Sequence, residues 1–138
     1  QVGDGSNMID LSYVENAAAA HLLALEYLEH QNRLRRAYFI TDGIQVNLWQ
    51  WISELLNELG EPGVSTVWNL EKAWRVGKYS ERIYKYLPLQ PSLTRFLVGH
   101  LGHSHYFNIS AAEQDLGYKP KVTPEQAMSK TIEWLRNC

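Results

Sequence analysis

Apolar and polar residues alternate from Ile9 to Val14 (I-D-L-S-Y-V), the period of a half-buried strand. The period then becomes helical. Asn16 is placed to cap a helix running to about residue 30, and Ala17, Ala20, Leu23 and Leu28 (or Tyr27) form one apolar stripe on it. A polar stretch at 31–36 breaks the pattern. A short apolar run at 37–41 reads as a buried strand, closed by Asp42-Gly43. Asn47 then caps a helix over 48–59 whose apolar face is Leu48, Trp51, Ile52, Leu55, Leu56 and Leu59, with Gly60 at the C′ position. Residues 64–68 have the character of a short strand. Residues 69–87 read as a helix rich in Trp and Tyr, with Gly77 as its weak point and Pro88 as its stop. Ser92 opens a helix to about residue 101, and 106–109 is a short extended piece. Ser110 and Glu113 have capping-box spacing for a short helix that Gly117 ends. Thr123, Pro124 and Gln126 give the same signal, with Pro at N1, for a last helix to about residue 136. Strands alternate with helices early and helices dominate later. The expected class is α/β, mostly helical with a few short strands.

Size and charge narrow the picture. The chain has 138 residues, enough for one domain with a modest core. A net charge of -2 and a pI near 6.2 give the chain as a whole no electrostatic case for nucleic acid or an anionic membrane. The single cysteine, Cys138, can form no internal disulfide, which fits a reducing cytoplasm, the expected location. No apolar stretch reaches membrane-span length and no signal-peptide pattern is present. The first residues are Gln1-Val2-Gly3, without a Met, so a fragment or a trimmed form is expected.

Gly3-Asp4-Gly5 raises the question of a dinucleotide loop. In such a loop the glycines follow a strand and open a helix, so that backbone N–H groups face the pyrophosphate. Here the glycines precede the strand, Asp4 lies between them, and the junction Tyr13-Val14-Glu15-Asn16 has no glycine. A turn leading into a strand is the better reading.

Several blocks carry a family resemblance. Gly3-Asp4-Gly5, then Ile9-Asp10-Leu11-Ser12-Tyr13-Val14-Glu15-Asn16-Ala17 and His21, resembles a block of the extended short-chain dehydrogenases/reductases. Tyr38-Phe39-Ile40-Thr41 with the helix from Asn47, and Leu116-Gly117-Tyr118-Lys119-Pro120 with Thr123 to Trp134, resemble two further blocks. Leu89 to Phe96 (L-Q-P-S-L-T-R-F), followed by His105-Tyr106-Phe107, is similar to the 3β-hydroxysteroid dehydrogenase branch, of the decarboxylating sterol-4α-carboxylate 3-dehydrogenase type. The order and spacing of the blocks cover nearly the whole chain, least well at 61–85.

The resemblance implies an NAD(P)-binding Rossmann-like fold, and it also shows what this chain lacks. The family carries a glycine-rich cofactor loop and a Tyr-x-x-x-Lys pair, in which Tyr exchanges a proton with the substrate oxygen and Lys lowers the Tyr pKa. No Tyr here has Lys at i+4. The implied identity is the C-terminal, substrate-binding portion, 1–138, with the cofactor-loop half missing and 9–41 partly returning to the cofactor-domain sheet. NAD or NADP belongs to the intact protein, and this piece alone is expected to bind neither and to hold no catalytic residue. Its implied partners are the upstream cofactor-binding portion and a small, apolar, steroid-like alcohol, oxidised at its 3-hydroxyl to a ketone. A free piece is expected to expose apolar surface where its sheet neighbour is missing and to self-associate.

Three residues are candidates for contact with substrate. Arg95 lies among Leu93, Phe96 and Leu97 and needs a partner: a carboxylate of this chain, cofactor phosphates, or the acid group of a 4-carboxysterol. Tyr13 and Asn16 stand where strand gives way to helix, a common ligand position in α/β folds, although capping alone accounts for Asn16. His100, His103 and His105 form H-x-x-H-x-H without an acidic or Cys partner. They read as surface or packing histidines, and no metal is expected. The aromatics Trp68, Trp74, Tyr79, Tyr84 and Tyr86 read first as core, then as a pocket for a flat substrate. With Arg75, Lys78, Arg82 and Lys85 among them, an interfacial helix on a membrane is a further reading. Two alternatives to the dehydrogenase stay open: a nucleotide-sugar epimerase or dehydratase fragment, against which Ile9 replaces the usual Arg before Asp, and a non-catalytic binding or assembly module.

Overall fold

The structure, a computed structural model, describes residues 1–30, 36–87 and 89–138. The expected polar break at 31–36 falls almost wholly outside these residues, and the helix stop at Pro88 does so entirely. Among the described residues the elements are β1 (Met8–Asp10), α1 (Val14–His30), β2 (Gln45–Asn47), α2 (Leu48–Glu58), α3 (Leu70–Tyr84), α4 (Arg95–Gly102), α5 (Ser110–Leu116) and α6 (Pro124–Arg136). β1 and β2 pair as a two-stranded sheet. The chain divides into two compact units, Gln1–Ile9 with Val46–His105, and Asp10–Gln45 with Tyr106–Cys138.

The first unit is built on α2, α3 and α4. Asn47 accepts the Gln50 N–H and starts α2 as expected, and Gly60 follows the C-cap Leu59 with a φ of 74°, a conformation that L side chains rarely adopt. Asn69 accepts the Lys72 N–H and starts α3. The start of α4 differs from expectation. Thr94, not Ser92, is the cap, because its hydroxyl is the one that reaches the Leu97 N–H. The core here is Val2, Ala73 and Val98, flanked by Trp49, Trp68, Leu70, Leu93 and Leu101. Gly77 sits where α3 and α4 touch: a Cβ there would stand 3.0 Å from the Arg95 nitrogen and the Thr94 carbonyl carbon. The strand expected at 64–68 is reduced to one parallel bridge, Val2 to Trp68.

The second unit packs α1 against α5 around Ala20, Ala112, Leu116 and Tyr118, with Leu23, Ala24, Tyr27, Tyr38, Ile40 and Ile109 beside them. Tyr27 rather than Leu28 completes the α1 stripe, since Leu28 is exposed. Thr123 and Gln126 form the full capping box of α6, and Pro124 is its first residue. The box expected at Ser110 is absent. Ser110 already lies inside α5, and its N–H is taken by Asn108 Oδ1. Gly117 ends α5 as expected.

Two strand expectations are corrected. The strand expected at 9–14 closes at Asp10, because the chain turns into α1 from Val14. The segment 37–41 has the alternation of a strand: Tyr38 and Ile40 are half-buried, Phe39 is exposed and Thr41 is buried. It forms no ladder among the described residues. Its ties are the Ser12 hydroxyl donating to the Ile40 carbonyl at 2.7 Å and, just beyond it, the Asp42 N–H donating to the Leu11 carbonyl at 2.8 Å. A strand is defined by its neighbours, so the pattern alone does not make one.

Candidate functional site

In the second unit the candidate residues converge on Asp42, which is buried. Its carboxylate accepts the Tyr13 N–H at 3.0 Å on both oxygens, and Oδ1 also accepts Asn16 Nδ2 at 2.8 Å. A carboxylate at the start of α1 is stabilised by the helix dipole as well as by these donors. Asn16 is therefore not the cap of α1. It is the third residue of the helix, 1% exposed, and its amide is fully used. Nδ2 also donates to the Val122 carbonyl at 2.9 Å, and Oδ1 accepts the Lys121 and Val122 N–H groups at 2.9 and 3.0 Å. An amide has two donors and two acceptor positions, so none remains for a ligand. Tyr118 closes the same region. Its buried hydroxyl donates to the Thr41 carbonyl at 2.9 Å, and burial, then the charge of Asp42, push its pKa up.

Tyr13 keeps a half-buried ring and a nearly free hydroxyl, which approaches Glu15 Oε1 at 3.5 Å. Lys130 pairs with Glu15 at 2.7 Å and lies 5.9 Å from the Tyr13 ring centroid. The hydrogen bond to Glu15 raises the Lys130 pKa. In the same unit an open cleft of about 400 Å³ is lined by Asp10, Thr41, Asp42, Phe107, Glu113 and Pro120, among others. Asp10 accepts the Phe107 N–H at 2.7 Å, and Phe107 stacks on Phe39 with centroids 4.3 Å apart. Three carboxylates in its wall make this cleft a poor host for an anion.

Arg95 belongs to the first unit. Its Nε donates to Glu81 Oε2 at 2.8 Å while its backbone N–H donates to Oε1 at 2.8 Å, so one carboxylate ties α3 to the start of α4. The backbone N–H first, and the guanidinium next, hold the Glu81 pKa below its ordinary value. The Arg95 side chain is 48% exposed, and its Nη atoms have no partner among the described residues. His100 lies between Phe96 and His105, with centroids 4.2 and 5.1 Å away. Among the described residues no group of three His, Cys, Asp or Glu side chains is placed to hold a metal. No sequence signal marks Asn7, a buried residue whose amide nitrogen and oxygen both lack a partner among the described residues.

No glycine-rich turn joins β1 to α1 or β2 to α2 to cradle a dinucleotide pyrophosphate. The carboxylate of Asp42 occupies the start of α1, and Asn47, the last residue of β2, caps α2 with its own side chain. At the start of α1 a phosphate would meet that carboxylate, and at the start of α2 the Gln50 N–H is already taken by Asn47 Oδ1.

The fold and the sequence define the class together. UDP-glucuronic acid 4-epimerase from Bacillus cereus, solved in complex with NAD, superposes on 99% of this chain and 33% of its own, with a TM-score of 0.63 at 16% identity. dTDP-glucose 4,6-dehydratase from Bacillus anthracis does so with a TM-score of 0.56 at 16% identity, over 99% of this chain and 33% of its own. The chain thus has the architecture of part of an extended short-chain dehydrogenase/reductase. The profile of the 3-beta hydroxysteroid dehydrogenase/isomerase family matches residues 1–71, just over half of the chain. The chain belongs to that family. It is 37% identical to a 2-alkyl-3-oxoalkanoate reductase of Stenotrophomonas maltophilia, over 94% of this chain and 40% of the relative. It is 32% identical to a decarboxylating sterol-4-alpha-carboxylate 3-dehydrogenase of Schizosaccharomyces pombe, over 98% of this chain and 41% of the relative. The chain spans about two fifths of the length of these curated relatives.

Proposed function

We propose that this chain is the C-terminal, substrate-side portion of an NAD(P)-dependent oxidoreductase that interconverts a 3-hydroxyl and a ketone. The supporting observation is the asymmetric coverage: similarity to a reductase and a dehydrogenase runs through nearly all of this chain but two fifths of theirs. The upstream portion carries the cofactor and the proton-transferring pair, and the chain alone neither binds nicotinamide nor turns over. Its 9–41 segment returns to the cofactor-domain sheet, which gives the unpaired run at 37–41 its neighbours.

The two relatives' names share one chemical unit, a carboxylate on the carbon next to the one that bears the 3-oxygen. We therefore place the substrate among α-substituted 3-hydroxy or 3-oxo carboxylates with a bulky apolar part, of which a steroid-like alcohol is one form. Arg95 offers its unengaged Nη atoms to the carboxylate, with Glu81 holding the guanidinium in place. Tyr13, in the other unit, is a separate candidate for substrate contact through its half-buried ring and its hydroxyl. Asn16 acts through the backbone of 121–122 and through Asp42, as a positioning residue.

Calorimetry with NAD(H), and turnover of a 3-hydroxy-4-carboxysterol and a 2-alkyl-3-oxoalkanoate, test the reading on this chain and on a form extended upstream. The chain alone should give no heat and no turnover, while the extended form should react. In the extended form Arg95→Met should lower kcat/KM about 10- to 100-fold for the acid and much less for the same alcohol without it. Cofactor binding by the chain alone, or equal losses on both substrates, would overturn the proposal or its Arg95 part respectively.

A further inference from the structure

The outer face of α3 is not a core surface. Trp74, Tyr79 and Ile83 are 44%, 62% and 60% exposed, and Tyr86, just beyond the helix, is 82% exposed. This corrects the core expectation for Trp74, Tyr79 and Tyr86, whereas Trp68 packs against the core and Tyr84 is half-buried. Val76, Tyr79, Ile83 and Tyr86 recur at the spacing that aligns side chains along one stripe. Arg75, Lys78, Arg82 and Lys85 repeat the same spacing one residue earlier and so form a parallel basic stripe. All four are exposed, and Lys78, Arg82 and Lys85 have no ion-pair partner among the described residues. The two acids of this helix are already engaged, Glu71 with Arg75 and Glu81 with Arg95. A chain of net charge -2 thus presents a strongly positive, apolar-edged face along one helix. Leu87, Leu89 and Phe96 of the same unit are also exposed, at 47%, 65% and 73%.

We infer that this face docks in the plane of an anionic lipid surface. Charge selects the occupant. A second copy meeting the same face about a two-fold axis would set Lys78 and Arg82 against their own equivalents. A protein partner burying the apolar stripe would have to desolvate the cations beside it. Lipid headgroups leave the cations hydrated and paired with phosphate while the tyrosine and isoleucine side chains enter the headgroup boundary. Among the described residues no helix is long and apolar enough to cross a membrane, so the contact is peripheral. The inference does not depend on the proposed activity, and its test needs no turnover.

The test is co-sedimentation of the 138-residue chain with vesicles of phosphatidylcholine alone, or with about one third phosphatidylglycerol, at low and high salt. The chain should pellet with the anionic vesicles at low salt, and pellet weakly with neutral vesicles or at high salt. Lys78→Glu with Arg82→Glu should weaken binding by about tenfold or more, and Tyr79→Ser with Ile83→Ser by about tenfold. Lys119→Glu, an exposed charge change in the other unit, should leave it unchanged. Far-UV circular dichroism checks that each variant folds, and either face pair suffices if the other fails. The inference is overturned if the chain ignores anionic vesicles at low salt, if it binds through both face variants as tightly as the parent, or if it pellets equally without vesicles.

Discussion

Asn16 Nδ2 donates to Asp42 Oδ1 at 2.8 Å, and both residues are buried. This bond joins the first turn of α1 to the end of the 37–41 segment. Through the other atoms of the Asn16 amide it also holds the backbone at 121–122. Replacing Asn16 with Leu would leave two N–H groups, a carbonyl and part of a carboxylate without partners. The second unit should lose about 3 kcal/mol, read as a lower urea midpoint, with faster amide exchange at Lys121 and Val122. Asn16→Asp should cost more at neutral pH, because its carboxylate faces that of Asp42. A Leu variant as stable as the parent would show that the amide network is dispensable.

Gly77 is set by the approach of α3 to the backbone at Thr94 and Arg95. In an exposed helix Ala would gain about 1 kcal/mol over Gly. Here the clash outweighs that gain, because backbone rather than a flexible side chain lies 3.0 Å from the added carbon. Gly77→Ala should destabilise the first unit by roughly 1 kcal/mol net, read as a lower thermal midpoint, and Gly77→Val should lower that midpoint further. A stabilised Ala variant would mean that α3 and α4 do not meet as described.

Glu81 sets an acid limit on the same contact. Its pKa is held below the ordinary 4.5 by the Arg95 backbone N–H and guanidinium. A carboxylate depressed in the folded state contributes stability above its ordinary value, and that stability is lost as pH falls through the folded value. Urea midpoints of the parent should therefore drop as pH goes below 4.5, and those of Glu81→Gln should drop less over the same interval. Parallel curves would show that the Glu81–Arg95 tie carries no stability.

Apolar side chains also face outward from the second unit. Val14, Leu22, Leu25 and Phe39 are 69%, 64%, 54% and 58% exposed. Burying such a face is favourable at about 25 cal/mol per Å². The free chain should show an apparent mass that rises with concentration in light scattering, and Leu22→Glu with Leu25→Glu should suppress the rise. A clean monomer at every concentration would remove the case for an unpartnered face.

Helix starts and stops were largely legible in the sequence because they are local. A cap needs one side chain and an N–H two or three residues on, so Asn47, Asn69 and Thr123 declare themselves. Thr94 competes with Ser92 for the start of α4, and only the backbone turn at Thr94 chooses between them. Family membership was legible too, since the spacing of its blocks is a property of the chain. The tertiary structure decided the rest. Asn16 meets a residue 26 positions away and backbone 106 positions away, and no periodicity encodes such a meeting. The run at 37–41 alternates like a strand yet has no ladder, because a strand's hydrogen bonds lie between segments rather than within one. The same physics separates the stripes of α3: spacing put the apolar and basic residues on two adjoining lines, but only packing, with Ala73 and Gly77 turned inward, showed that those lines face solvent.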